Sequence, residues 1–236
     1  MTDDEPTLPQ RARRANAVVA SVEWLFEPAW RGDRLLARYD AGRVSLSDED
    51  GRTADERFPE AAEILRQSVL AKQALIDGIW TAQPFIGDGS AARHWADTLA
   101  SEGLASEIPD PIERERRRAF VAVDLVELDG ELLHEVPYQE RRRVLESVLD
   151  EGIQVRVSPC VKQPISAWLV GWRANGFSHY LAKHQNSRYH PGEVNDDWLQ
   201  ISVAAEPMRG MVSRMFGTRD EKPRRISELG GRGGAS

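Results

Sequence analysis

At 236 residues and 41% hydrophobic content, the chain carries enough apolar material for one sizeable core, so one globular domain with tails is expected. Its single cysteine, Cys160, excludes an internal disulfide and a thiolate zinc cluster and fits a reducing, cytoplasmic setting. A formal net charge of -7 argues against a dedicated nucleic-acid binder, and no apolar run approaches the roughly 18 residues of a membrane span.

Residues 1–16 lack periodicity and are expected to form a flexible N-terminal tail, 17–207 the domain, and the charged, glycine-rich 208–236 a disordered C-terminal tail. Leu35–Tyr39 and Val44–Leu46 flank Asp40-Ala41-Gly42-Arg43, where Asp and Gly between apolar runs signal a hairpin. Pro59 then opens a stretch through Leu75 with Ala62, Leu65, Val69 and Leu70 at helical spacing. Phe120–Val126 reads as a buried strand stopped by Asp129-Gly130. Tyr138–Leu149 reads as an amphipathic helix, with Val144, Leu145 and Val148 on one side and arginines on the other. Val155–Ser158, a helix over Ile165–Asn175, Tyr180–Lys183 and Trp198–Ile201 complete an alternation that predicts an α+β domain.

The basic runs Arg116–Arg118 and Arg141–Arg143 are mixed with glutamates and read as solvated helix faces. His179, His184 and His190 lack a metal-ligand spacing, so no metal site is expected from them. The seven tryptophans do not alternate with basic residues and read mostly as core, with Trp30 best placed to line a cleft.

Several words along the chain are specific in combination. Glu27-Pro28-Ala29-Trp30-Arg31-Gly32-Asp33-Arg34 comes first, then Phe58-Pro59-Glu60, Ile76-Asp77-Gly78-Ile79 and Val123-Asp124-Leu125-Val126. Pro137–Arg142, Ser178–Lys183, Ser187–Gly192 and Trp198–Ser202 follow. In order and spacing these words, from about Trp24 to Ser202, resemble the adenylation domain of ATP-dependent DNA ligases, above all the compact bacterial end-joining type. The resemblance implies a ligase-type nucleotidyltransferase fold, antiparallel sheets flanked by helices; the oligonucleotide-binding-fold domain that follows in the family is not expected here, since only roughly 30 residues remain after Ser202.

The same resemblance implies lost chemistry. Ala29 stands where the family's nucleophilic lysine attacks the α-phosphate of ATP, and a methyl group has no lone pair to offer. Arg31, Glu49, Ile79, Ser178, Gln200 and Ser202 replace further family residues, chiefly the acids and lysines that hold metal and phosphate. If Glu49 points where an arginine belongs, its repulsion from one phosphate charge at about 5 Å with ε near 20 is roughly 3 kcal/mol. Glu27, Trp30, Arg34 and Lys183 remain as the remnant of a nucleotide site. Arg34 and Lys183 either still contact phosphate or pair with acids such as Asp33 and Glu49 inside a collapsed pocket.

No catalytic residue is intact on this reading, and no cofactor is expected, although the family uses ATP and Mg2+. The leading expectation is a non-enzymatic binding or regulatory partner of DNA-repair proteins, with weak or indirect DNA binding. The alternative is an active ligase or other nucleotidyltransferase with a displaced nucleophile, drawn from Lys72, Lys162, Lys183 or Lys222.

Overall fold

The computed structural model describes residues 7–16, 18–82 and 118–204. The expected tail at 208–236, Trp95, Arg116, Arg117 and Lys222 lie outside them.

The described residues fold as two open sheets. One runs in the order β1 (Arg11–Ala15), β10 (Val194–Ser202), β9 (His179–His184), β2 (Trp24–Pro28). The other runs β4 (Arg43–Asp48), β3 (Asp33–Asp40), β5 (Gln73–Thr81), β6 (Ala119–Leu128), β7 (Glu131–Leu132), with β8 (Val155–Val157) also paired to β6. Pairing is antiparallel except for β1 with β10 and β6 with β8. Helices α1 (Pro59–Ser68), α2 (Tyr138–Ser147) and α3 (Ser166–Ala174) complete the α+β, ligase-type arrangement, and no closed barrel occurs among the described residues.

Three apolar clusters show how the layers stack. On one face of the larger sheet, Leu35, Ile76 and Phe120 pack against Leu65 of α1 and Leu145 of α2. The outer face of the smaller sheet supplies Phe26, Tyr180 and Ile201 against Leu169 and Trp172 of α3. Between the sheets lie Leu36, Leu75, Val126, Tyr189 and Trp198. Strand alternation then places Arg34, Asp77 and Ile79 on the inner face of the larger sheet, and Glu27, Lys183, Gln200 and Ser202 on that of the smaller. The site lies in this cleft.

The Asp40–Arg43 hairpin forms as expected, with Ala41 and Gly42 both at positive φ, the geometry that matches a two-residue turn to strand twist. Three expectations need correction. The helix opened by Pro59 ends at Ser68: Val69 is extended and bridges Leu149, and Leu75 lies in β5. Arginines of α2 do not all face solvent, because Arg141 is fully buried in a bidentate pair with Asp124 at 2.9 and 2.7 Å. Arg11–Ala15 is not tail but strand β1, its backbone satisfied by β10 although its sequence has no apolar period.

Candidate functional site

Glu27-Pro28 ends β2, so Ala29 falls where the strand leaves the sheet, its amide donating to the His179 carbonyl at 3.1 Å. Trp30 turns back to donate its indole N–H to Ser158 Oγ at 2.9 Å and meets Phe177 edge-on at 5.0 Å. Gly32 is required next, since a Cβ there would sit 2.3 Å from the Trp80 carbonyl oxygen. A cavity of about 570 Å³ opens beside this turn, with Arg31, Asp33, Trp80, Arg118 and Asn175 in its lining.

Lys183 is wholly buried in the cleft. Its Nζ donates to the Val123 carbonyl at 2.9 Å, lies 3.2 Å from Glu27 Oε1, and sits over the rings of Trp198 and Tyr138 at 4.1 and 4.5 Å. Tyr138 donates its hydroxyl to the same Glu27 oxygen, and burial followed by the Glu27 charge pushes its pKa well above the ordinary phenol value. Glu27 Oε2 and Arg142 Nη1 are buried without a hydrogen-bond partner among the described residues.

Arg34 makes two 2.6 Å bonds to the fully buried Asp77 carboxylate, which also accepts from Tyr189 at 2.9 Å. Burial opposes the guanidinium charge and Asp77 more than offsets it, holding the Arg34 pKa above its usual value. The Gln10 carbonyl accepts from Arg34 at 3.2 Å, while the Gln10 amide donates to Tyr189 Oη at 3.1 Å. Gln10 is itself fully buried, its side chain bonded to the His190 amide and to Asn195. Arg34 and Lys183 thus pair with Asp77 and Glu27, and not with Asp33 and Glu49. Glu49 is exposed in the turn after β4, and Asp33 lies 3.8 Å from Arg118.

Ser178 is exposed and its Oγ lies 3.0 Å from His179 Nδ1, Ile79 is buried in β5 opposite Arg34, and Gln200 and Ser202 are half-buried on β10. Cleft partners that sequence reasoning did not assign are Gln10, Asp77, Tyr138 and Tyr189. Asp77, Tyr138 and Tyr189 each stood in a quoted word, whereas Gln10 stood in none.

No profile of a known protein family matches the chain. The multifunctional non-homologous end joining DNA repair protein LigD of Mycobacterium tuberculosis is 28% identical over 184 residues, 78% of this chain and 22% of that protein. A DNA ligase of Thermococcus fumicolans is 26% identical over 213 residues, 86% of this chain and 37% of the relative. The chain therefore spans well under half the length of these relatives. Among solved structures, the ligase domain of M. tuberculosis LigD superposes with a TM-score of 0.58 at 25% identity, covering 82% of this chain and 58% of that one. A mycobacterial DNA ligase D complexed with ATP and MES gives 0.59 at 24% identity, covering 83% and 60%. The chain resembles the adenylation domain of ATP-dependent DNA ligases and has its nucleotidyltransferase fold.

These findings correct the expectation that no cofactor goes with this chain. Its relatives are a DNA ligase and an end-joining DNA repair protein, and one solved neighbour, a mycobacterial DNA ligase D, is complexed with ATP. Ala29 carries a methyl group, and the amine of Lys183 is enclosed by two rings, a carboxylate and a carbonyl.

Proposed function

We propose that this chain is a ligase-like adenylation domain that forms no covalent nucleotide intermediate and acts by binding, as a regulatory partner of DNA-repair proteins in the cytoplasm. The observation that supports the reading is the methyl group of Ala29 directly after β2, in the word whose resemblance to the family implies a nucleophilic lysine.

Relocation of the nucleophile finds no support in the described lysines. Lys72 lies in the turn before β5. Lys162 follows Val161, which bridges Phe26 antiparallel, so the chain at Lys162 runs toward Leu25 and away from Ala29. Lys183 is locked as described. No helix among the described residues is long and apolar enough to cross a membrane.

The test is incubation of the full chain with Mg2+ and ATP labelled at the α-phosphate, followed by a denaturing gel. The expected result is no protein-bound label; a band that survives denaturation would overturn the reading in favour of a displaced nucleophile. Co-purification with repair proteins tests the partner half of the proposal.

A further inference from the structure

β1 is the edge strand of the smaller sheet, and among the described residues no strand pairs along its outer side. The strand is nevertheless held at both ends. Gln10, just before it, is fully buried and bonded to Arg34, Tyr189, His190 and Asn195, while Ala15 at its far end packs on the α3-facing cluster. An ordered edge without a neighbour is a preformed template on which an extended chain can add as a further strand.

One bond sets the direction of the backbone groups. The Arg11 amide donates to the Glu193 carbonyl at 2.9 Å and so faces β10, and successive residues of a strand turn to opposite sides. The irregular register between Ala12 and Arg13 is taken up by β10, which skips from Asn195 to Leu199. Alternation along β1 is kept, since Ala12 packs between the sheets and Ala15 on the outer cluster, opposite faces at odd spacing. The N–H and C=O groups of Ala12 and Arg14 therefore point outward.

The side chains add charge to this edge. Arg11, Arg13 and Arg14 are exposed, and only Arg13 has a carboxylate partner among the described residues, Asp196. Of the other acids beside the strand, Glu193 lies 3.7 Å from His190, and Asp197 sits on β10. A strand added outside β1 would run about 4.8 Å from the arginines and about twice that from the acids, so the nearer cations dominate its field.

We infer that the outer edge of β1 takes an extended acidic segment of a partner protein as an added antiparallel strand. Opposite Arg11 and Arg14 the segment carries acids, three positions apart, and opposite Ala12 and Ala15 it carries apolar residues. A second copy of this edge would set arginine against arginine, which is destabilising. A nucleic-acid backbone is disfavoured because Arg11 and Arg14 stand on opposite faces of the strand, whereas phosphates need a row of cations on one surface. This edge gives a docking place to the binding role proposed above and rests on that reading only for the role: whether a nucleotide is attached covalently does not bear on it.

The experiment is fluorescence anisotropy of the full chain with a labelled Thr-Val-Glu-Thr-Val-Glu-Thr peptide, whose glutamates fall opposite Arg14 and Arg11 in the antiparallel register. Binding is expected, weakened about threefold or more when both glutamates become glutamine or when the protein carries Arg11→Gln with Arg14→Gln, the scale of two exposed ion pairs. N-methylation of the first glutamate or the second valine, whose amides face β1, should weaken binding about tenfold or more, while N-methylation of the central threonine, facing away, should leave it unchanged. Both arginines are exposed, so thermal unfolding of the double variant should match wild type, which separates lost binding from lost fold. No peptide binding, equal affinity for the glutamine peptide, or equal effects of the three N-methylations would each overturn the inference. So would a nicked duplex that binds through these arginines while the peptide does not, or a dimer, seen by sedimentation, that the double variant abolishes. A covalent label in the gel assay would overturn the non-covalent reading and leave this edge as it stands.

Discussion

Lys183 Nζ lies 3.2 Å from Glu27 Oε1, and neither side chain reaches solvent. Removing one partner leaves a buried charge alone, which typically costs about 3–5 kcal/mol, while replacing both with apolar groups is often near neutral. Lys183→Met is therefore expected to lower unfolding free energy by about that amount, and the double change with Glu27→Leu to recover much of it. Chemical denaturation checks both. A single variant as stable as wild type would mean the pair does not hold the cleft shut.

The Asp77 carboxylate organises the other wall, taking both arms of Arg34 and the hydroxyl of Tyr189. Asp77→Asn keeps the shape and removes the charge, so a loss of about 2–4 kcal/mol is expected, with Tyr189→Phe costing about 1 kcal/mol. Equal losses in the two variants, measured by urea unfolding, would contradict the ranking.

How much of this was legible in the sequence depends on the range of each interaction. The Ala41-Gly42 turn is local chemistry and was read correctly, as were β6 and α3, whose patterns are strong. Periodicity also placed Arg141 on a solvent face, because Asp124, the partner that draws it inward, sits 17 residues earlier on a strand. Strand β1 was invisible for the same reason in stronger form: RARRA has no apolar period, and its backbone is satisfied by a strand at the far end of the domain. Family words located Ala29, Arg34 and Lys183 in the sequence. The partners Asp77 and Glu27 required coordinates, since both lie 43 or more residues from the cations they hold.

On the non-covalent reading proposed above, a lysine at position 29 is not expected by itself to bring about nucleotide transfer. Ala29 is half-buried directly after β2. The cleft still offers isoleucine, serine and glutamine at Ile79, Ser178 and Gln200, and loss of even one electrostatic group commonly costs about 10²–10³ in rate. Ala29→Lys is expected to give no label from α-labelled ATP above background on a denaturing gel. Efficient labelling would show that the alanine alone blocks the chemistry.

Cys160 offers a pH-dependent readout of the same buried cluster. Burial, and then the Glu27 charge, push its thiol up to about 12 from an ordinary 9.0. The folded state thus keeps a proton that the unfolded chain releases, so its contribution is fully present below about pH 9 and is lost as pH rises through the window toward about 12. Between pH 9 and 10, Cys160→Ser should reduce the decline of stability with pH, and the slope that remains comes from the phenols of Tyr138, Tyr180 and Tyr189, which burial also pushes up. Because the thiolate is the reactive form, alkylation of native protein by iodoacetamide at pH 8 should be at least about a hundredfold slower than in urea. Comparable rates in the two conditions would place the thiol in ordinary solvent and remove Glu27 as a neighbour that suppresses it.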